Sequence, residues 1–236
     1  MKTKWTLLIC MTRHLACLLF VVLNAAPLWA GPDRFEPHDT VTRILTQIQQ
    51  KYNVTDFEAD FTQESYLEAM DVVDTAQGHV LFRPPTQMRW HYQTPEEYVL
   101  VMNREHIWLY WPADNQVMIG KPEEYLGHAG MKSFFSQPAA LLERFHVTMA
   151  EKRFGREEVY SLRLIPKDPQ PNIKEAFLLI STKTFCIVES IIYNAFGDET
   201  RIRFSNIEFN QDIDPSLFDF VAPEDAQILQ LTPGQP

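Results

Sequence analysis

The sequence contains many histidine and carboxylate side chains, the groups that build hydrolytic and metal sites, but their spacing fits neither kind of site. Glu96-Glu97 and Glu123-Glu124 are adjacent pairs whose side chains point apart, so neither makes a good acid–base couple. There is no Gly-x-Ser-x-Gly elbow, phosphate-binding glycine loop or His-Glu-x-x-His. His79 and His91 can lie on neighbouring strands, where two half-buried histidines are more common than a metal pair. We expect no enzyme, metal site or cofactor.

The chain is much richer in groups that bind by apolar contact. Residues 106–111 read His-Ile-Trp-Leu-Tyr-Trp, and side chains alternate between the two faces of a strand. Trp108 and Tyr110 therefore point one way, and Ile107, Leu109 and Trp111 the other. A sheet with one wet face would alternate apolar with polar residues. Each face must therefore be covered, one by the core of the protein and the other by a lid or an apolar ligand.

The elements that position these residues follow from periodicity. Five apolar residues at helical spacing predict one amphipathic helix at the start of the fold: Val41, Ile44, Leu45, Ile48 and Tyr52. From Phe57 onward, alternating runs are separated by proline-containing turns every 8–12 residues. The pattern predicts a mainly β fold with helices (α+β), built on a continuous antiparallel sheet that can curl into a barrel.

Residues 122–145 break the strand rhythm. They suggest one or two short helices, interrupted at Gly127 and Gly130. Such an insertion is what a movable lid would look like, and an ordinary helix filling the mouth of the barrel fits equally well.

The first 30 residues have the layout of a secretory signal peptide. Lys2, Lys4 and Arg13 precede an apolar run too short to span a bilayer, and small residues lead to Ala30. Met11 is an alternative start. Residues 31–236 then form a single domain with a net charge of −13, from 18 basic and 31 acidic residues. That charge disfavours nucleic acid and docking on anionic lipid. Cys186 remains alone, so no internal disulfide forms.

Several segments, taken in order, resemble the LolA family of periplasmic outer-membrane lipoprotein carriers. Residues 57–63 (FEADFTQ) are similar to the F-x-A-x-F-x-Q opening strand of that family. Other segments continue the resemblance at family spacing: 77–85, 88–95, 107–112, 196–200, 204–207 and 218–223. Together they cover nearly the whole chain after the signal peptide.

The resemblance implies an incomplete antiparallel β-barrel closed by an α-helical lid, with a cavity for acyl chains between them. It implies a set of partners too: acylated lipoproteins, an inner-membrane ABC transporter of the Lol type and an outer-membrane lipoprotein acceptor. We expect a monomer in the periplasm of a Gram-negative bacterium. The residues expected to bind acyl chains, with plain core packing as the alternative for each, are Phe61, Phe82, Trp90, Trp108, Tyr110, Phe134, Phe135, Leu141 and Leu142.

One position departs from the family pattern. The family often has a lid-latching basic residue where this chain has Pro84. Arg83 lies one residue earlier, on the opposite face of the strand unless a bulge restores it. Arg89 is the other candidate latch, or the lid is fastened differently. The alternative function is a periplasmic lipid- or lipoprotein-sensing regulatory module of similar fold. A hydrolase is a third hypothesis, which the absent nucleophile motif disfavours.

Overall fold

The structure, a computed structural model, describes residues 37–122, 141–151, 154 and 158–231. Backbone contacts divide the chain into two units, Met1–Arg34 and Phe35–Pro236, and every described residue belongs to the second. The predicted signal peptide and most of the predicted lid, including Phe134 and Phe135, lie outside the described residues.

The described chain begins with one long helix and continues almost entirely in strands, as the periodicity predicted. Helix α1 spans Pro37–Lys51, and a short helical turn, α2, spans Leu141–Arg144. A 3₁₀ helix spans Pro215–Phe218. The strands are β1 Phe57–Leu67, β2 Val72–Arg83, β3 Gln87–Thr94, β4 Tyr98–Met102, β5 Ile107–Trp111, β6 Gln116–Gly120, β7 Phe145–Met149, β8 Val159–Pro166, β9 Glu175–Ser181, β10 Ile187–Tyr193, β11 Glu199–Phe209 and β12 Gln227–Gln230.

All twelve strands form one sheet in the order β12-β6-β5-β4-β3-β2-β1-β11-β10-β9-β8-β7. Every pairing is antiparallel except that of β12, which runs parallel to β6. In the described structure, the edge strands β12 and β7 do not pair with each other, so the sheet is open. The prediction of a mainly β fold with an open antiparallel sheet is confirmed, whereas β7 and β12 were not predicted as strands.

One face of the sheet, called the inner face below, carries the main core. On β1, Phe57, Ala59 and Phe61 are buried while Glu58 and Asp60 stay half-exposed on the other side. Side chains from the inner faces of β1 to β5 and β7 to β11 join the apolar side of α1 in a single cluster. Because strands from both ends of the sheet share this cluster, the sheet curls around α1.

The opposite face, called the outer face below, is also covered. Its central strands carry charged residues, and Val99, Val101 and Val117 are buried toward the β12 end. The C-terminal segment, defined here as residues 211–231, covers this end: Phe218 is fully buried, and Phe220 lies against two rings of β5. The second cover expected from the sequence is therefore supplied here by the protein's own C-terminal segment.

Candidate apolar binding site

Three of the aromatic residues predicted to bind acyl chains meet on the inner face. The ring centroids of Phe61 and Trp90 are 4.8 Å apart, and those of Phe82 and Trp90 are 5.9 Å apart, both edge-to-face. These residues lie on β1, β2 and β3, and each faces inward because of strand alternation. Together with Tyr92 and Phe204 they are called the aromatic cluster below.

The aromatic cluster presents almost purely apolar surface. The indole N–H of Trp90 donates to the sulfur of Met88 at 3.4 Å, and the hydroxyl of Tyr92 donates to Gln63 at 3.0 Å. Trp90 itself is only 3% exposed. Because these polar tips already have partners, what remains for a ligand is apolar ring surface. Such a surface can hold a hydrocarbon chain but offers no group for acid–base or nucleophilic chemistry.

Tyr92 and Phe204 were not among the predicted site residues. The centroids of Tyr92 and Phe61 are 4.9 Å apart, and those of Phe204 and Trp90 are 6.1 Å apart. Alternation along β3 from Trp90 could have identified Tyr92. Phe204 required the pairing of β1 with β11, in which it lies opposite Phe61, and no local pattern encodes that pairing.

Leu141 and Leu142 mark where the chain re-enters the described structure after residue 140. Leu141 is fully buried in the inner-face core, and Leu142 packs against the same core. Both leucines, which were predicted as part of the lid, therefore lie on the inner side of the sheet.

Trp108 and Tyr110 lie on the other side of the sheet from the aromatic cluster. Register pairs Trp108 with Val101, and pairs Leu109 with Leu100. The ring of Phe220 lies 6.3 Å from Trp108 and 5.4 Å from Tyr110, measured between centroids. The structure therefore divides the predicted set between two faces and does not bring these two residues together with Trp90.

Arg83 and Arg89, the candidate lid latches, also lie on the outer face. The register shift between β2 and β3 falls at Gln77/Gly78, so no bulge turns Arg83 inward. Arg89 donates to the carbonyl of Leu217 at 3.2 Å, and its partial burial lowers the pKa of its guanidinium. Hydrogen bonds from Ser216, and then the charge of Arg83, lower the pKa of Asp214. Both arginines therefore interact with the C-terminal segment, Arg89 by a hydrogen bond and Arg83 by its charge.

His79 and His91 occupy opposed positions on β2 and β3. His79 lies 2.8 Å from Asp60, and His91 lies 3.0 Å from Glu97, so each pairs with a different carboxylate. No group of three or more potential metal ligands occurs among the described residues. None of the helices in the described ranges is long and apolar enough to cross a bilayer.

The described residues therefore define an open antiparallel sheet that curls around a helix and an aromatic interior. Residues 52–221 match the family model described as outer membrane lipoprotein carrier protein LolA. The chain belongs to this family.

Similar proteins agree with that assignment. The outer-membrane lipoprotein carrier protein of Nitrosomonas europaea is 29% identical over 180 residues, which are 74% of this chain and 82% of that protein. The carrier protein of Azotobacter vinelandii is 26% identical over 213 residues, which cover 90% and 99% of the two chains. A solved structure of an uncharacterized conserved protein from Thermus thermophilus shares the fold, with a TM-score of 0.53, 14% identity and coverage of 81% and 99%.

Proposed function

We propose that this protein is a periplasmic chaperone that binds the acyl chains of lipoproteins and carries them from the inner membrane to the outer membrane. The observation that supports this function best is the aromatic cluster of the inner face, centred on Trp90. The relatives named as lipoprotein carriers support the same class of cargo. The carrier itself needs no enzymatic step, because binding and release accomplish transport.

The packing of the cluster suits a shuttle rather than a permanent store. Each buried methylene contributes about 0.8 kcal/mol, so a 16-carbon chain could gain on the order of 12 kcal/mol. A gain of that size would make release slow. In this structure the ring of Trp90 already contacts those of Phe61 and Phe82. An entering chain must separate them, and the lost ring contacts offset part of the binding free energy.

The acyl-chain site that we propose comprises the inner-face members of the predicted set. Phe61, Phe82 and Trp90 form its floor, and Leu141 and Leu142 join it to the segment that carries Phe134 and Phe135, the proposed lid. The proposed site excludes the four predicted residues that face the outer side of the sheet and the C-terminal segment: Trp108, Tyr110, Arg83 and Arg89.

The partners follow from the proposed cargo. A carrier of acylated lipoproteins must receive them from a membrane component that extracts them with energy. We propose an inner-membrane ABC transporter of the Lol type for that step. Delivery then requires an outer-membrane lipoprotein acceptor. The protein would work as a monomer in the periplasm after removal of residues 1–30.

Selective quenching of single tryptophans tests the proposed site. Two variants would keep either Trp90 or Trp108 as their only tryptophan, with Phe at the other positions. A lipopeptide with brominated acyl chains quenches tryptophan on contact. We expect quenching in the Trp90 variant and little in the Trp108 variant, since Trp108 lies under Phe220 on the outer face. Equal quenching of both, or none, would refute the inner-face site.

A release assay distinguishes a carrier from a regulatory module. Purified protein would be added to spheroplasts that hold a labelled, acylated lipoprotein in the inner membrane. A carrier releases the label into solution as a one-to-one complex, and only when ATP is present. A sensor of lipoprotein would bind detergent-solubilised label but leave the membrane-bound pool in place.

A further inference from the structure

Exposed apolar side chains gather at one end of the sheet, around the turn that joins β1 to β2. Met70, Val73 and Phe196 are 65%, 59% and 74% exposed, and Val72 lies beside them in sequence. Met70 lies in the turn that joins β1 to β2, Val73 lies at the start of β2, and Phe196 lies in the turn that joins β10 to β11. We call these two turns and the adjoining strand ends the tip, defined as residues 67–73 and 194–198.

A hydrogen bond joins the two turns of the tip. The backbone N–H of Glu68 donates to the carboxylate of Asp198 at 3.0 Å. A Cβ on Gly197 would lie 3.1 Å from the side chain of Glu68, so the turns are in close contact. The two turns that carry Met70 and Phe196 are therefore held side by side.

The turn that carries Phe196 is also fixed internally. The side-chain oxygen of Asn194 accepts the backbone N–H of Phe196 at 2.8 Å and that of Asp198 at 3.0 Å. Its amide donates to Asp198 at 2.7 Å. A large apolar ring is thus presented to solvent by a turn with little freedom to withdraw it, an arrangement that lowers the entropy lost on binding.

The charged residues next to these apolar side chains in the sequence are all acidic. Residues 64–78 contain four acidic and no basic residues, and residues 194–200 contain two acidic and no basic residues. Glu64 and Glu199 are paired with Arg203 and Arg201. The carboxylates of Glu68, Asp71 and Asp74 have no arginine or lysine partner among the described ion pairs. The rim of the tip is therefore negative where the β1–β2 turn and the start of β2 form it.

We infer that the tip is a docking surface for a membrane protein whose apolar recess is bordered by lysine or arginine side chains. The choice of a membrane protein rests on the proposed function. Exposed aromatic and aliphatic side chains within a polar rim are the composition of a protein interface. The charge of the rim selects the occupant. A second copy of this chain would bring like charges together, and an anionic lipid surface would repel the carboxylates.

The docking surface is separate from the acyl-chain site. None of its exposed residues belongs to the aromatic cluster. Changes at the tip should therefore leave acyl-chain binding intact, so docking and cargo binding can fail independently in experiments.

Sedimentation with membrane vesicles tests the inference. Inner- and outer-membrane vesicles of the source bacterium would be compared with trypsin-treated vesicles and with liposomes made from the extracted lipids. The double variant Val73→Ser/Phe196→Ser removes the apolar surface, and Asp74→Lys reverses one charge of the rim. Val221→Ser is the matched control, because Val221 is 85% exposed but lies in the C-terminal segment.

We expect the wild-type protein to sediment with untreated vesicles of at least one membrane at low salt, and to be released by high salt or trypsin. The double variant should bind roughly tenfold more weakly or worse, as expected for loss of a central aromatic contact. Asp74→Lys should also weaken binding, and Val221→Ser should not. Binding to liposomes, unchanged binding by the double variant, or no vesicle binding by the wild type would each overturn the inference. Quenching by the brominated lipopeptide, measured on the same variants, reports cargo binding separately.

Discussion

Gly78 is a position in β2 where any side chain would meet the backbone of the next strand. A Cβ built there collides with the carbonyl oxygen of His91 and lies 3.0 Å from the ring of Phe61. We expect Gly78→Ala to lower the free energy of unfolding by about 3 kcal/mol, because the paired backbone cannot move aside cheaply. Urea unfolding measures the change.

Gln77→Ala is the matched control for Gly78, since Gln77 is the preceding residue and its side chain is exposed. Its effect should stay within about 0.5 kcal/mol. Similar losses for the two variants would mean that β2 and β3 do not approach as closely as described. The requirement for glycine could not be predicted from the sequence, since it depends on which backbone atom of β3 lies opposite.

At the scale of single strands, the outer face of β10 and β11 is held by a buried carboxylate. Glu189 is 1% exposed, and its carboxylate lies 2.8 Å from Arg201 and 3.3 Å from Arg203. Glu189→Gln should destabilise the protein by about 2–3 kcal/mol, because the two guanidinium groups lose a buried counter-charge. Thermal or urea unfolding checks the value.

A glutamate-to-glutamine substitution in a solvent-exposed ion pair is the control for Glu189→Gln. Glu158 lies 2.6 Å from Lys183, but their side chains are 74% and 72% exposed. Glu158→Gln should change stability by less than about 0.5 kcal/mol. If the two substitutions prove equivalent, burial is not what makes Glu189 important.

The outer face of β1 should make stability depend on acid pH. Hydrogen bonds from Asn206 and then His79 lower the pKa of Asp60, and a hydrogen bond from Arg203 lowers the pKa of Glu64. Carboxyls with lowered pKa values bind fewer protons in the folded state than in the unfolded state. Their stabilisation is therefore complete above the ordinary carboxyl pKa of about 4 and is lost as the pH falls through the lower folded values.

Urea midpoints between pH 6 and pH 3 test this dependence. Asp60 and Glu64 are about half exposed, so each should account for less than about 1 kcal/mol. The double variant Asp60→Asn/Glu64→Gln should be less stable at pH 6 and show a shallower decline toward pH 3. A decline as steep as that of the wild type would assign the pH dependence to other groups.

At the scale of the whole molecule, the C-terminal segment covers the outer face of β5 with the ring of Phe220. Phe220→Ala should remove the ring that lies over Trp108 and Tyr110. We expect a loss of about 1–2 kcal/mol and a red-shifted emission from Trp108 as water reaches it. Val221→Ala, at an 85% exposed neighbour, should do neither. An unshifted spectrum in Phe220→Ala would show that something else covers Trp108.

The sequence predicted which residues of β5 share a face, but it could not predict what covers each face. Alternation along residues 106–111 correctly placed Trp108 and Tyr110 on one face, and Ile107, Leu109 and Trp111 on the other. It could not identify what lies over each face, because Phe220 comes much later in the chain and carries no local signal of its destination. For the same reason, the sequence did not reveal that the predicted site residues lie on two different faces of the sheet.

The pairing of β1 with β11 has a consequence for the order in which the protein can assemble. Phe61 lies opposite Phe204, so the central strand β1 must pair with β11, which comes near the end of the chain. The consecutive hairpins from β1 to β6 can form as they emerge, but β1 keeps one open edge until residue 199 has followed. Sheets closed by such distant pairings form slowly, and an open edge strand recruits other chains. Whatever prevents aggregation of the newly made protein must therefore act until β11 has paired with β1.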